Sequence, residues 1–223
     1  MNMNPMLLIN FKTYEQGTGK KAVDLARIAD KISKETGSNI VLSVQFTDIE
    51  RVSSAVKIPV YSQHIDPVEP GSHTGWILPE AVKEAGVKGT LINHSEHNID
   101  KESIEKNIKK CKELELVSVC CAATPDKAKE LAALGPDYIA IEPPELIGGD
   151  VSVSKAKPEL ISDTVKYVSE VNSSVKVLCG AGVNSKEDVS KAIELGSVGV
   201  LVASAIVKSP TPEKVILDLI GGF

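Results

Sequence analysis

Residues Ile139–Asp150 read IAIEPPELIGGD. An apolar alternation ends in one acid, Glu142; Pro143 and Pro144 stiffen the chain, and Gly148 and Gly149 loosen it a few residues later. Alternation rich in β-branched residues marks a strand, and a proline pair ends one. The stretch is therefore a strand that delivers a carboxylate at its C-terminal tip and then opens into a loop. Similar apolar runs recur at Met6–Phe11, Asn39–Val44, Ile58–Ser62, Gly89–Asn93, Val117–Ala122, Val175–Cys179 and Val198–Ala203. With Asp137–Glu142 they make eight expected strands. Amphipathic stretches lie between them, and Ala22, Leu25, Ala26, Ala29 and Ile32 line one face of the first.

Strict strand–helix alternation implies a parallel sheet. Eight units in 223 residues average about 28 residues, the size of a βα unit with its loops. The expectation is an α/β fold closed as a (β/α)8 TIM barrel, one domain over residues 1–223. A doubly wound open sheet is the rival, but no G-x-G-x-x-G follows Phe11. Helix punctuation agrees with the alternation. Thr124-Pro125 and Thr211-Pro212 place a capping hydroxyl before a proline, Pro158 opens a helix, and Asn184-Ser185-Lys186-Glu187 has the pattern of a capping box. Gly37 is the expected stop of the first helix.

Composition excludes several classes of function. The net charge of -5 and the scattered basic residues give no electrostatic footprint for nucleic acid or a membrane surface. Met6–Phe11 is strand-length, without a charged leader or cleavage pattern, so a cytoplasmic protein is expected. Cys111, Cys120, Cys121 and Cys179 show no C-x-x-C or Cys/His ligand spacing; they read as buried reduced thiols, with no metal site.

In a barrel of this kind the chemistry sits at the C-terminal ends of the strands. Asn10 and Lys12, two residues apart, would both point to the barrel mouth after the first strand. Asn93-His94-Ser95-Glu96 follows the fourth, and no G-x-S-x-G elbow supports a serine-hydrolase reading. Glu142 ends the sixth, where desolvation should raise its pKa and make it a better base. Cys179-Gly180-Ala181-Gly182-Val183 and Leu201-Val202-Ala203-Ser204-Ala205 place small residues at the last two strand ends. Backbone N–H groups there can approach an anion, so Gly182, Ala203 and Ser204 are candidate phosphate contacts.

These fragments, in their order and spacing along the whole chain, resemble the triosephosphate isomerase family. The resemblance rests on Asn10-Phe11-Lys12, Gln63, His73-Thr74-Gly75, Asn93-His94-Ser95-Glu96, Ala140-Ile141-Glu142-Pro143, Ile147-Gly148, Gly180-Ala181-Gly182 and Leu201-Val202-Ala203-Ser204. The short loops and EPPELIG resemble its compact archaeal branch. The resemblance implies interconversion of dihydroxyacetone phosphate and D-glyceraldehyde 3-phosphate, a step of glycolysis and gluconeogenesis. Glu142 would carry the proton between C1 and C2. His94 would act at the two oxygens, Lys12 would supply positive charge, and Asn10 would orient the substrate. The pairing of a glutamate base with a neutral histidine comes from the resemblance, not from spacing. Ser95 and Glu96 would support the site. No metal or organic cofactor is implied.

The same resemblance makes Glu145–Gly149 a lid hinged at Pro143-Pro144, with Ile147 and Gly148 reaching the phosphate. It places Thr74 and Trp76 on an interface loop and implies a homo-oligomer, a dimer or a tetramer. Two departures stand out. His97-Asn98 follow the His-Ser-Glu run where arginine is usual, leaving open what supports the site from below. Trp76 stands where a polar residue is usual. Two other readings remain at this point: another phosphate-binding barrel isomerase or synthase, and a non-catalytic phosphate-binding barrel.

Overall fold

The computed structural model describes residues 4–143 and 153–223. Eight parallel strands close in sequence order into a barrel: β1 (Met6–Asn10), β2 (Asn39–Val44), β3 (Val60–Ser62), β4 (Gly89–Ile92), β5 (Val117–Ala122), β6 (Tyr138–Ile141), β7 (Lys176–Cys179) and β8 (Gly199–Val202). β8 returns to β1 in register Met6↔Gly199 through Ile9↔Val202, which closes the ring and rules out the open-sheet alternative. All eight expected strands form. Most are one or two residues shorter than their apolar runs, trimmed at one end or both.

The helices on the outside are α1 (Lys20–Thr36), α2 (Ile49–Ser53), α3 (Pro79–Glu84), α4 (Lys101–Glu113), α5 (Pro125–Ala132), α6 (Val153–Ala156), α7 (Pro158–Val171), α8 (Lys186–Glu194), α9 (Ser204–Val207) and α10 (Pro212–Ile220). The period of two along each strand divides the apolar residues into two cores. Met6, Leu8, Val41, Tyr61, Leu91, Val119, Cys121, Ala140, Leu178 and Leu201 fill the barrel. Leu7, Ile9, Ile92, Cys120, Ile139 and Ile141 face outward against helix residues such as Ala22, Ala26, Ala29 and Ile32 of α1. This alternation also fixes where the tips point. Asn10 continues the inward row of Met6 and Leu8, and Glu142 continues that of Ala140.

Local punctuation follows its physical reasons, with two corrections. Gly37 ends α1 in the left-handed region at φ 72°, its N–H returning to Ser33 O. Thr124 caps α5 by accepting the Lys127 N–H. The capping box lies one residue later than the sequence pattern placed it. Ser185, not Asn184, is the N-cap, and Asp188, not Glu187, closes the box. Asp188 wins because it is buried and also accepts the Asn184 N–H. Thr211 precedes α10 but makes no side-chain cap; its own N–H bonds Ser209 Oγ instead. Among the described residues, no helix is long and apolar enough to cross a membrane.

Candidate active site

The strand tips bring Asn10, Lys12, His94 and Glu142 to one end of the barrel, beside the turns after β7 and β8. A single pocket is lined by Lys12, Tyr14, His94, Glu142, the Gly180–Asn184 segment and the Leu201–Ala205 segment. Gly182, Ala203 and Ser204 thus share a cavity with the lysine ammonium and the carboxylate. Gly182 holds φ 67°, which favours glycine, and it keeps the wall of the pocket free of a side chain. Ile147 and Gly148, like the rest of the Glu145–Gly149 lid and Pro144, lie outside the described residues.

Two departures from strand geometry aim the polar groups. Lys12 takes φ 48°, and its N–H donates to Asn10 Oδ1 at 2.9 Å. Alternation along β4, with Leu91 inside, would send Asn93 inward and His94 outward. Asn93 adopts φ 60° instead, which breaks the alternation. Its side chain then bridges two elements, donating to Cys121 O and accepting the Ile99 N–H. His94 consequently faces the mouth. These left-handed positions cost free energy, of order 1–3 kcal/mol each, and the surrounding hydrogen bonds offset that cost.

The protonation states follow from the same contacts. The Glu96 N–H donates to His94 Nδ1 at 3.2 Å. A neutral ring with Nδ1 as acceptor carries its proton on Nε2, and Nε2 lies 3.4 Å from Glu142 Oε1. Burial, then the nearby Lys12 charge, hold the His94 pKa down to about 4, against an opposing pull from Glu96. His94 is therefore a neutral donor near pH 7. Glu142 is only 2% exposed, and burial pushes its pKa up to about 7, against opposing contributions from the Cys121 thiol and Lys12. Its Oε2 has no hydrogen-bond partner. Such a carboxyl is poised to take and return a proton at neutral pH. Lys12 Nζ sits 2.7 Å from Glu96 Oε1, with the lysine side chain largely buried and the glutamate exposed.

Several contributors were not singled out by the sequence. Gln63, noted only within the resemblance, donates from Nε2 to Asn10 Oδ1, Lys12 O and Ser43 O, and so ties the ends of β1 and β2 together. It lies just past the tip of β3, and the strand-end rule applied there would have found it. Cys121, read from sequence only as a buried thiol, sits inside the barrel against Glu142. Ser95 Oγ is buried without a partner. Where arginine was expected, His97 stacks on His64, and Asn98 Nδ2 donates to Ser95 O. Thr74 and Trp76 lie exposed on their loop. Among the described residues, no group of three or more His, Cys, Asp or Glu is placed to hold a metal ion.

Gly180 has a steric role. A Cβ there would lie 2.5 Å from Glu142 Cγ and 3.1 Å from Ile141 O, so any larger residue displaces the carboxylate or parts the strands. Gly180→Ala is expected to lower turnover by about 10- to 100-fold, the scale of a misplacement near 1 Å. Steady-state kinetics beside a melting curve would check it, and wild-type turnover in a folded variant would show that the carboxylate relocates freely.

Fold and site together define a (β/α)8-barrel protein with a desolvated carboxyl, a neutral imidazole and a lysine-bearing, backbone-lined pocket at the C-terminal strand ends. The comparisons narrow this class. The triosephosphate isomerase family model matches residues 5–220. The triosephosphate isomerase of Methanocaldococcus jannaschii is 50% identical over 215 residues, covering 96% of this chain and 98% of its own. That of Methanosarcina acetivorans is 49% identical over 217 residues, covering 97% and 98%, and that of Methanothermus fervidus is 47% identical over 216 residues, covering 97% of each. The chain belongs to the triosephosphate isomerase family.

Proposed function

We propose that this barrel interconverts dihydroxyacetone phosphate and D-glyceraldehyde 3-phosphate through an enediolate, in glycolysis and gluconeogenesis. The observation that carries the reading is the pairing of the Glu142 carboxyl, raised to about 7, with the Nε2–H of a neutral His94 at 3.4 Å, beside the Lys12 pocket. Glu142 removes a proton from one carbon and returns it to the neighbour. His94 donates to the carbonyl oxygen as it gains charge; a neutral imidazole can give and recover that proton without a stable charged state. Lys12 stabilises developing negative charge, Asn10 orients the substrate oxygens, and the backbone of Gly182, Ala203 and Ser204 holds the phosphate. Glu96 keeps Lys12 in place. A steady-state assay with dihydroxyacetone phosphate, coupled to an aldehyde-specific dehydrogenase, tests the reading. Purified, folded protein with no turnover would refute it.

The functional unit in this reading is a homo-oligomer, at least a dimer. Support comes from the Pro70–Trp76 loop, where Trp76 is 55% exposed, and from Phe46, 60% exposed beside the Lys12 and Glu96 cleft. A tryptophan buries a large area and is a common interface anchor. The loop is fastened at its base: Asp66 N bonds Ile77 O, and Asp66 Oδ2 accepts the Ile77 N–H. Thr74→Arg with Trp76→Ala is expected to weaken assembly and lower activity together. Light scattering that reports an unchanged oligomer for the double variant would remove the interface assignment. The cytoplasmic setting is supported by four buried, unpaired cysteines.

A further inference from the structure

The turn after β4 is held from a side that the catalytic groups do not explain. His94, Ser95, Glu96 and His97 form a tight turn, closed by the His97 N–H donating to His94 O at 2.8 Å. The residue that closes it, His97, is exposed, but its ring has a partner. The His97 ring stacks on His64, with centroids 4.1 Å apart and planes 24° from parallel. His64 is itself buried and fixed, its Nε2 lying 3.1 Å from Asp66 Oδ1. The other oxygen of Asp66 accepts the Ile77 N–H. A continuous set of contacts therefore runs from the turn that carries His94, through two imidazoles and one carboxylate, to the base of the loop bearing Thr74 and Trp76.

We propose that His97 and His64 are a positioning pair for the isomerisation, fastening the His94–His97 turn to the base of the Asp66–Ile77 loop and so setting where His94 and Glu96 stand. Neither ring reaches Glu142, and the pair acts through the turn. Aromatic rings prefer offset-stacked or edge-to-face contact with centroids about 4.5–7 Å apart; this pair is stacked and slightly closer, at 4.1 Å. Burial, ahead of the opposing Asp66 hydrogen bond, holds His64 below the usual imidazole pKa, which favours an uncharged ring in the stack at neutral pH. Without the stack, the turn would keep its backbone hydrogen bond, the Asn98–Ser95 bond and the Lys12–Glu96 pair, but lose its link to the base of the Asp66–Ile77 loop. His94 Nε2 would then sample positions away from the reacting oxygens.

The inference rests on the isomerase activity proposed above, and wild-type turnover, measured first, tests that activity separately. His97→Ala removes the stack, and His97→Phe keeps a flat ring without a titrating group. His97→Ala is expected to lose about tenfold in kcat at pH 7.5, well within the cost of a sub-ångström misplacement, with KM within about twofold of wild type. His97→Phe is expected to recover at least half of the wild-type kcat. Adding His64→Ala to His97→Ala should cost little more than the worse single change, because both remove one contact. Wild-type kcat in His97→Ala, a His97→Phe variant as slow as the alanine, or fully multiplicative losses in the double variant would each overturn the proposal. A merely structural role would instead lower the melting temperature of all variants without this split between kcat and KM.

Discussion

Glu142→Gln lowers kcat by at least about 100-fold, the low end of a general-base contribution, and leaves the barrel folded. Glutamine keeps the shape and removes the proton acceptor. The carboxyl sits at a strand tip and adds little to the packing of either core. A stability signature should accompany the loss. The folded-state pKa of Glu142 is raised from 4.5 to about 7, so between these values the native state binds a proton that the unfolded chain has released. The contribution is favourable below pH 4.5 and is lost as pH rises through 7. The wild type should therefore lose up to about 3 kcal/mol across that window from this one group, and the variant should not. Denaturant titrations at pH 5 and 8 measure the difference. Near-normal turnover in the variant moves the base elsewhere, and equal pH slopes would mean that Glu142 is not desolvated as the geometry requires.

Lys12→Met is expected to lower kcat/KM by about 100- to 1000-fold, the scale of losing one preorganised charge at a developing oxyanion. Methionine preserves the length of the buried stem, and the backbone conformation at φ 48° costs it no more than it costs lysine. The loss should fall on both constants, since Lys12 lines the same pocket as Gly182, Ala203 and Ser204 and faces the reacting groups. Inorganic phosphate as a competitive inhibitor separates the two roles. If the inhibition constant rises with KM, the ammonium contributes to phosphate binding; if kcat alone falls, it acts only on the oxyanion. Unchanged inhibition together with unchanged turnover would take Lys12 out of the site. His94 supplies a second check. Lys12 is the second cause, after burial, of its depressed pKa, so the imidazole of the variant should titrate at higher pH in NMR.

The period of two in eight apolar runs was enough to specify the strands, and their regular alternation with helical stretches specified the parallel barrel. Parity alone sent Asn10 and Glu142 inward, because each continues an interior row. The glycines and small residues after β7 and β8 marked the wall of the shared pocket for a local reason: backbone can approach a ligand only where side chains are absent. The misplaced capping box shows the limit of such rules. Two adjacent residues could each cap α8, and the choice fell to Asp188 because tertiary packing buries it.

What the sequence by itself determined about this protein is what depends on neighbours along the chain: the strands, the inward carboxylate and the small-residue rim. Closing the barrel decided the rest. His94 faces the mouth only because Asn93 takes φ 60° and is held there by bonds to Cys121 and Ile99. Glu142 reaches a pKa of about 7 only because the closed mouth desolvates it and Gly180 leaves it no wider berth. His97 meets His64 only because β3 and β4 pair side by side and bring the loops after them together. Burial and long-range contact are properties of the assembled ring. No local pattern encodes them, since desolvation and stacking arise only when strands distant in sequence share one mouth.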